Sequence, residues 1–241
     1  MSRIRFIREQ EKGKGEKRMD IKTILFDLDG TLTDSGEGIM NAVRYTLERY
    51  EKKATEAQLR SFIGPPLQAQ FQQFLNVSEE EGKRAVSIYR EYYTERGIFE
   101  NKVYPGVTGL LKQLKDAGFC ICMATSKPEK FAVQIAEHFS FASYFDRIGG
   151  ALMDGRRTKK CEVIEYVLAE EGIGKKREDR DSVLMIGDRE HDILGAKQTG
   201  IHSMGVLYGY GSRAELEKTG AEWIAETPGQ IWEILRTESR K

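Results

Sequence analysis

Short apolar segments alternate with amphipathic helical segments along most of the chain. Residues 21–26, 119–124 and 183–186 are compact apolar runs of strand length, and residues 203–207 continue the series. The segments between them repeat apolar side chains every three or four positions, as helices do. Strands that alternate with helices are typical of βαβ units. The pattern therefore predicts an α/β fold on a doubly wound parallel sheet, with 203–207 as its last central strand.

One long block interrupts this alternation directly after the first predicted strand. Residues 35–103 contain helical patterns only, apart from an Ile-Gly-Pro-Pro turn at 63–66 that no helix can cross. A helical block between two strands of a sheet is most simply an insertion. We therefore predict an all-α cap at 35–103, carried by an α/β catalytic core of residues 20–34 and 104–241.

The first nineteen residues differ from the rest of the chain. Residues 1–19 are rich in Lys and Arg, and they lack the apolar central stretch of a secretory signal. We interpret them as a basic tail, or as a stretch upstream of a natural start at Met19. The functional interpretation uses none of them.

The overall charge and the cysteines limit the class of partner. Lys and Arg together number 38, and so do Asp and Glu, so no net field recruits nucleic acid or an acidic membrane surface. No apolar run approaches the roughly 20 residues of a membrane helix. We expect Cys120 and Cys122 to point to opposite faces of a strand and to stay reduced. These features favour a cytoplasmic protein, monomeric or homodimeric, without nucleic-acid or membrane partners.

Polar side chains follow three of the predicted strands. They are Asp27 and Asp29 after the first, Thr125 and Ser126 after the second, and Asp188 and Asp192 after the third. The carboxyl ends of parallel strands form the ligand-binding edge of such a sheet. Two carboxylates about 4 Å apart repel by roughly 4 kcal/mol at an effective dielectric of 20, so a cluster favours a bound cation. Hard oxygen ligands favour Mg²⁺, whereas a role as turn caps would suit a single Asp only.

The sequence around these residues resembles the four motifs of the haloacid dehalogenase (HAD) superfamily. The segment Asp-Leu-Asp-Gly-Thr at 27–31 resembles the first motif, Thr125 the second, Lys160 the third, and Gly-Asp-Arg-Glu-His-Asp at 187–192 the fourth. The motifs occur in order and cover the chain from about residue 20 onwards. The resemblance implies a Rossmann-like core, and the position of the insert is similar to that of a type-one cap.

The resemblance also implies a role for each of the motif residues. Asp27 would be the nucleophile that forms an aspartyl-phosphate, and Asp29 the general acid and base. Mg²⁺ would be bound by the Asp27 carboxylate, the Asp29 backbone carbonyl and Asp188. Lys160 would neutralise charge on the nucleophile and the phosphate.

Further roles concern the substrate and the residues around the motifs. Thr125 and the backbone N–H of Ser126 would bind phosphoryl oxygens, while Asp192 would act near the metal, directly or through water. The turn at 63–66 and the Gly-Val-Leu-Tyr-Gly-Tyr-Gly stretch at 205–211 are similar to the phosphoglycolate phosphatase and 5′-nucleotidase-like branch. Gly64 and Pro65 are therefore candidate substrate-binding residues.

Several neighbouring residues are weaker candidates for a role in the site. Lys159 adjoins Lys160 and is within reach of the same site, but the motif pattern favours Lys160. We expect Lys127 to be a solvated lysine at the start of a helix, and His191 to have no catalytic partner. Tyr89 and Tyr93 have the helical spacing of cap core rather than of a substrate platform.

Together these features predict a Mg²⁺-dependent phosphomonoester hydrolase that acts on a small cytoplasmic metabolite. Phosphoglycolate and a nucleoside 5′-monophosphate are both open as substrates. A dehalogenase needs no acid at the second aspartate, so Asp29 favours phosphoryl transfer. The alternatives are a sugar phosphomutase of the same fold and a non-catalytic binding or regulatory module that retains the fold.

Overall fold

A six-stranded, fully parallel sheet forms the centre of the molecule. The computed structural model describes residues 20–240, so the interpretation of residues 1–19 lies outside it. The strands of the protein, in chain order, are β1 Thr23–Phe26, β2 Thr33–Asp34, β3 Lys102–Val103, β4 Cys120–Pro128, β5 Arg147–Ala151, β6 Val183–Gly187, β7 His202–Val206 and β8 Trp223–Ala225. The six strands of the large sheet are ordered β5-β4-β1-β6-β7-β8.

The sheet is covered by helices on both faces. These are α5 Val107–Asp116, α6 Glu129–His138, α7 Lys160–Glu170, α8 Arg177–Arg180, α9 Glu190–Thr199, α10 Arg213–Thr219 and α11 Pro228–Arg240. Alternate residues of β1 point to opposite faces, so Ile24 and Phe26 belong to one buried cluster and Leu25 to another. The prediction of a doubly wound α/β fold is confirmed. No helix among residues 20–240 is long and apolar enough to cross a membrane.

Two edge strands were missed by the sequence pattern. β5 contains two glycines and β8 has only three residues, so neither forms an apolar run of ordinary strand length. Because β8 pairs outside β7, the segment 203–207 is the last central strand of the sheet, as expected, and β8 is its edge. The strand β4 also extends farther than expected and ends at Pro128, after an irregularity between Ala124 and Pro128. This extension brings additional side chains to the carboxyl edge.

The insert between β2 and β3 is entirely helical. It comprises α1 Gly36–Arg49, α2 Glu56–Arg60, α3 Leu67–Leu75, α4 Glu79–Tyr92 and a π-helical turn Tyr93–Gly97. The short strands β2 and β3 pair antiparallel and join this helical insert to the sheet. Its interior is aromatic: the rings of Phe62 and Phe71 lie 5.0 Å apart, and those of Tyr89 and Tyr93 stack at 5.2 Å. We keep the division at 35–103 as a proposed cap.

The two cysteines of β4 lie on the same face of the sheet. Their Sγ atoms are 3.8 Å apart, with Cys122 buried and Cys120 half-buried. The expectation that they point to opposite faces is wrong, because side chains two residues apart on a strand point the same way. All three cysteines are free thiols.

Candidate active site

Asp27 lies at the centre of the carboxyl edge of the sheet. It follows β1, which pairs with β4 on one side and β6 on the other. Its backbone N–H donates to the Ile186 carbonyl of β6 at 2.9 Å, which extends the ladder and fixes the residue between its neighbours. The side chain is only 13% exposed. A carboxylate in this position is almost completely withdrawn from water.

Lys160 provides the positive charge next to Asp27. Its Nζ lies 2.8 Å from Asp27 Oδ1, 2.8 Å from Asp192 Oδ1, and donates to the Ala124 carbonyl at 2.9 Å. The side chain is 4% exposed, whereas Lys159 is exposed to solvent. Helix α7 begins at Lys160, and this start directs its side chain across the sheet edge. The structure therefore brings Lys160, and not Lys159, to the candidate site.

Three buried carboxylates converge on this point. Donor oxygens of Asp27, Asp188 and Asp192 lie within 4.8 Å of one another. Burial is the main cause that raises the pKa of Asp27 to about 6; Asp192 adds to the rise and Lys160 opposes it. Burial, together with the charges of Asp192 and Asp27, also raises the pKa of Asp188 well above its usual range. One ammonium group thus faces three carboxylates, which leaves an excess of negative charge.

The donor atoms of this cluster fit a hard divalent cation. Oδ1 of Asp27 and Oδ1 of Asp192 are buried, and although Lys160 is at ion-pair distance, neither oxygen accepts a well-oriented hydrogen bond. Asp188 is fixed from outside the cluster, since the Tyr210 N–H donates to its Oδ2 at 2.7 Å. Carboxylate oxygens with unused lone pairs are the ligands that Mg²⁺ prefers.

A glycine-rich loop closes over Asp188. At Gly209 a Cβ atom would lie 2.1 Å from the Gly30 carbonyl oxygen and 2.5 Å from Cβ of Asp188, so no larger residue fits. The next residue, Tyr210, donates its hydroxyl to Asp34 Oδ1 at 2.7 Å. One loop therefore connects the acidic cluster to β2, where the helical insert begins.

Asp29 is not a member of the carboxylate cluster, and its side chain pairs with a lysine instead. Lys127 Nζ donates to its two carboxylate oxygens at 2.8 and 3.0 Å. The lysine side chain is 6% exposed, and its Nζ lies 4.8 Å from the centre of the Tyr93 ring of the insert. The expectation of a solvated Lys127 is wrong, because β4 continues to Pro128 and Lys127 shares its inward side with Thr125.

The residues expected to bind phosphate lie at the end of β4. Thr125 is buried, and its Oγ1 accepts the Lys127 N–H at 3.2 Å. Ser126 is half-buried next to it. Their contact with phosphoryl oxygens stays a prediction.

The turn at 63–66, which holds the candidate substrate-binding residues of the insert, contacts Arg189 of the core. Arg189 Nη1 donates to the Ile63 carbonyl at 3.1 Å, and its Nε donates to Glu215 at 2.9 Å. Gly64 is exposed with φ +103°, and a Cβ there would lie 3.2 Å from Arg189 Nη1; Pro65 is half-buried beside it. Arg189 was not singled out from the sequence, although it lies within the acidic fourth motif.

The remaining residues agree with their expected minor roles. His191 is exposed in the first turn of α9. Tyr89 and Tyr93 are buried at 4% and 2% exposure, as core residues of the insert are. Tyr93 differs in one respect: its hydroxyl is buried without a hydrogen-bond partner, while its ring faces Lys127.

Comparison with known proteins places this arrangement in a family. A model of the haloacid dehalogenase-like hydrolases matches residues 24–206, a span that contains every candidate catalytic side chain. The chain belongs to the haloacid dehalogenase-like hydrolase family. The resemblance inferred from the four motifs is thereby confirmed.

Named relatives narrow the enzyme class. A 5′-nucleotidase of Pseudomonas aeruginosa is 45% identical over 80% of this chain and 86% of its own length. The tyrosine-protein kinase PtkA of Mycobacterium tuberculosis is 37% identical over 88% of this chain and 72% of its own. A phosphoglycolate phosphatase of Vibrio parahaemolyticus is 29% identical over 90% and 97%.

A solved structure of a related protein has the same fold. The crystal structure of a predicted phosphatase from Clostridium acetobutylicum superposes with a TM-score of 0.84 at 43% identity, covering 90% of this chain and 99% of that one. With the family match and the named relatives, this confirms a phosphatase at the level of enzyme class.

Proposed function

We propose that the chain is a Mg²⁺-dependent phosphomonoesterase that works through an aspartyl-phosphate at Asp27. The observation that carries the proposal is the position of Asp27 between Lys160 and two further buried carboxylates at the carboxyl edge of the sheet. A nucleophile there is oriented by the strand ladder, and the ammonium of Lys160 beside it can offset the negative charge of an incoming phosphate.

Four side chains would divide the chemistry between them. An Asp27 oxygen attacks phosphorus, the bond from phosphorus to the leaving oxygen breaks, and Asp29 donates a proton to that oxygen. In the second half, Asp29 takes a proton from the water that attacks phosphorus, and the phosphorus–Asp27 bond breaks to release phosphate. Lys160 stabilises the negative charge in both halves, and Thr125 donates its hydroxyl to a phosphoryl oxygen.

The metal belongs with the acidic cluster. Asp27, Asp188 and the Asp29 backbone carbonyl would bind Mg²⁺, with Asp192 at its side and paired to Lys160. When bound, the ion offsets the charge of the phosphate and of the clustered carboxylates. The excess negative charge and the unused carboxylate oxygens support this assignment.

Lys127 would act as a positioning residue for Asp29. Its two hydrogen bonds fix the orientation of the carboxylate, and its contact with the Tyr93 ring ties that orientation to the insert. A cap that closes over the site would thereby also order the acid–base residue and exclude water.

The substrate is proposed to be a small cytoplasmic phosphomonoester. The relative with 45% identity is named a 5′-nucleotidase, and the phosphoglycolate phosphatase is 29% identical, so nucleoside 5′-monophosphates are the first substrates to test. The half-buried turn around Pro65 and the unpartnered Tyr93 hydroxyl are the insert groups that support a contact with the leaving group.

The test is phosphate release from a panel of nucleoside 5′-monophosphates, phosphoglycolate and sugar phosphates, with and without Mg²⁺. We expect steady, Mg²⁺-dependent release from at least one of them, and none from Asp27→Asn. Interconversion of sugar phosphates with little free phosphate would instead indicate a mutase. Transfer to protein tyrosine without release would indicate a kinase, and complete inactivity of a folded protein would indicate a binding module.

A further inference from the structure

A second cluster of potential ligands lies at the opposite edge of the sheet. Cys120 begins β4 and pairs with Thr23 at the start of β1, whereas Asp27 follows the end of that strand. Four residues of strand separate Thr23 from Asp27, about 13 Å at about 3.3 Å per residue. The two edges are therefore distinct in space, and nothing in the phosphatase chemistry uses the cysteines.

Two thiols and one carboxylate come together there. Cys120 Sγ lies 3.8 Å from Cys122 Sγ and 3.7 Å from Glu171 Oε2. The three donor atoms all lie within 4.8 Å of one another. Cys122 is fully buried below, while Cys120 is half-buried and the Glu171 side chain is 20% exposed. The cluster is thus open to solvent on the side of Cys120 and Glu171.

These spacings match those of ligands around one tetrahedral ion. With Zn–S bonds of about 2.3 Å and tetrahedral angles, two thiolates lie about 3.8 Å apart. With a Zn–O bond of about 2.1 Å, a thiolate and a carboxylate oxygen lie about 3.6 Å apart. The observed separations of 3.8 Å and 3.7 Å therefore need almost no rearrangement.

The carboxylate is already oriented for this purpose. Arg147 Nε donates to Glu171 Oε1 at 2.7 Å, which leaves Oε2 directed toward Cys120. A partner that fixes the far side of a ligand is a common feature of metal sites.

We propose that Cys120, Cys122 and Glu171 form a binding site for a thiophilic divalent cation, Zn²⁺ or its analogue Cd²⁺. Binding releases one proton from each thiol, forms two metal–thiolate bonds and one bond to Glu171 Oε2, and leaves a fourth position for water. Soft thiolate ligands select these ions over Mg²⁺, which the oxygen cluster at the other edge prefers. The same sheet would therefore bind hard and soft cations at opposite edges.

The test uses the full chain, kept reduced, with excess Mg²⁺ to occupy the carboxylate cluster. Cd²⁺ is titrated while the ultraviolet charge-transfer band of cadmium–thiolate bonds is recorded, since carboxylates give no such band. The variants are Cys120→Ser, Cys122→Ser and Glu171→Gln. Matched controls are Cys161→Ser, which removes the third thiol, and Glu170→Gln, which removes the neighbouring partner of Arg147.

We expect the wild type and both controls to bind one equivalent of Cd²⁺ that Zn²⁺ displaces. Cys120→Ser and Cys122→Ser should lose the two-thiolate band, and Glu171→Gln should weaken binding about 10-fold or more. Thermal melting checks that each variant is folded. If Cys122→Ser, at the buried position, does not fold, the result for Cys120→Ser, at the half-buried position, still tests the proposal. A wild type without the band, or an undiminished band in folded Cys120→Ser, would overturn the proposal.

Discussion

The α/β core and the helical insert contribute different kinds of side chain to the candidate site. The core brings buried charges on a strand end and a helix start, with Asp27 and Lys160 2.8 Å apart. The insert brings an aromatic ring, Tyr93, and a backbone turn that contacts Arg189. Core substitutions should therefore change the rate of the chemical step, and insert substitutions should change which substrate binds and how tightly.

The largest effect is expected at the core lysine. Lys160→Ala removes the ammonium group that lies 2.8 Å from both Asp27 and Asp192, and it should lower kcat by about 10²- to 10³-fold. Lys159→Ala, one residue away and exposed, should leave kcat unchanged. Steady-state kinetics with a generic aryl phosphate measure both. A folded Lys160→Ala with normal kcat would remove this residue from the mechanism.

The second prediction concerns the metal and needs no substrate. Mg²⁺ at 100 times its dissociation constant should stabilise the wild type by about 2.7 kcal/mol, a rise in Tm of about 5–10 °C for a chain of this size. Asp188→Asn should abolish this rise, because it removes one carboxylate of the buried cluster. Calorimetry with and without Mg²⁺ tests this, with the exposed Asp154→Asn as control. If Mg²⁺ raised Tm equally in both variants, the ion would bind at a site other than the carboxylate cluster.

A smaller effect is expected where core and insert meet. Lys127→Ala frees Asp29 from its only described ion pair and should lower kcat about 10- to 100-fold, an effect on positioning rather than on bond-making. Lys130→Ala, exposed on α6, is the control. An unchanged kcat would make the Lys127 contact purely structural.

The charged residues of the core site were largely predictable from the sequence. The contacts between the core and the insert were not. Asp27 and Asp188 come together because strand ends of a parallel sheet meet at one edge, and Lys160 joins them from the start of helix α7. The order and spacing of the motifs reveal this arrangement. Lys127 and Arg189 depend on how far β4 continues and on how the insert packs. The local sequence pattern shows neither where β4 ends nor how the insert packs on the core. The short edge strands β5 and β8 were missed for a related reason, since their pairing, and not their hydrophobicity, defines them.

The smallest effect is expected within the insert. Tyr93→Phe removes only a buried hydroxyl that has no partner, so stability should be unchanged or slightly higher. If the hydroxyl meets the leaving group, KM for the best substrate should rise a few-fold while kcat stays constant. Tyr45→Phe, on α1, is the comparison, because the half-buried Tyr45 donates its hydroxyl to Glu91. A change in kcat alone would contradict the view that core residues set the rate of the chemical step and insert residues set substrate binding.

Chemical trapping at residue 27 tests the covalent step most directly. The enzyme is quenched with acid during turnover and treated with borohydride, which reduces an acyl phosphate to an alcohol and so converts a phosphorylated aspartate into homoserine. Peptide mass spectrometry then locates the change. We predict homoserine at position 27, only with substrate present, and unmodified Asp29. Homoserine at Asp29, or none at all in an enzyme that is turning over, would contradict the aspartyl-phosphate mechanism.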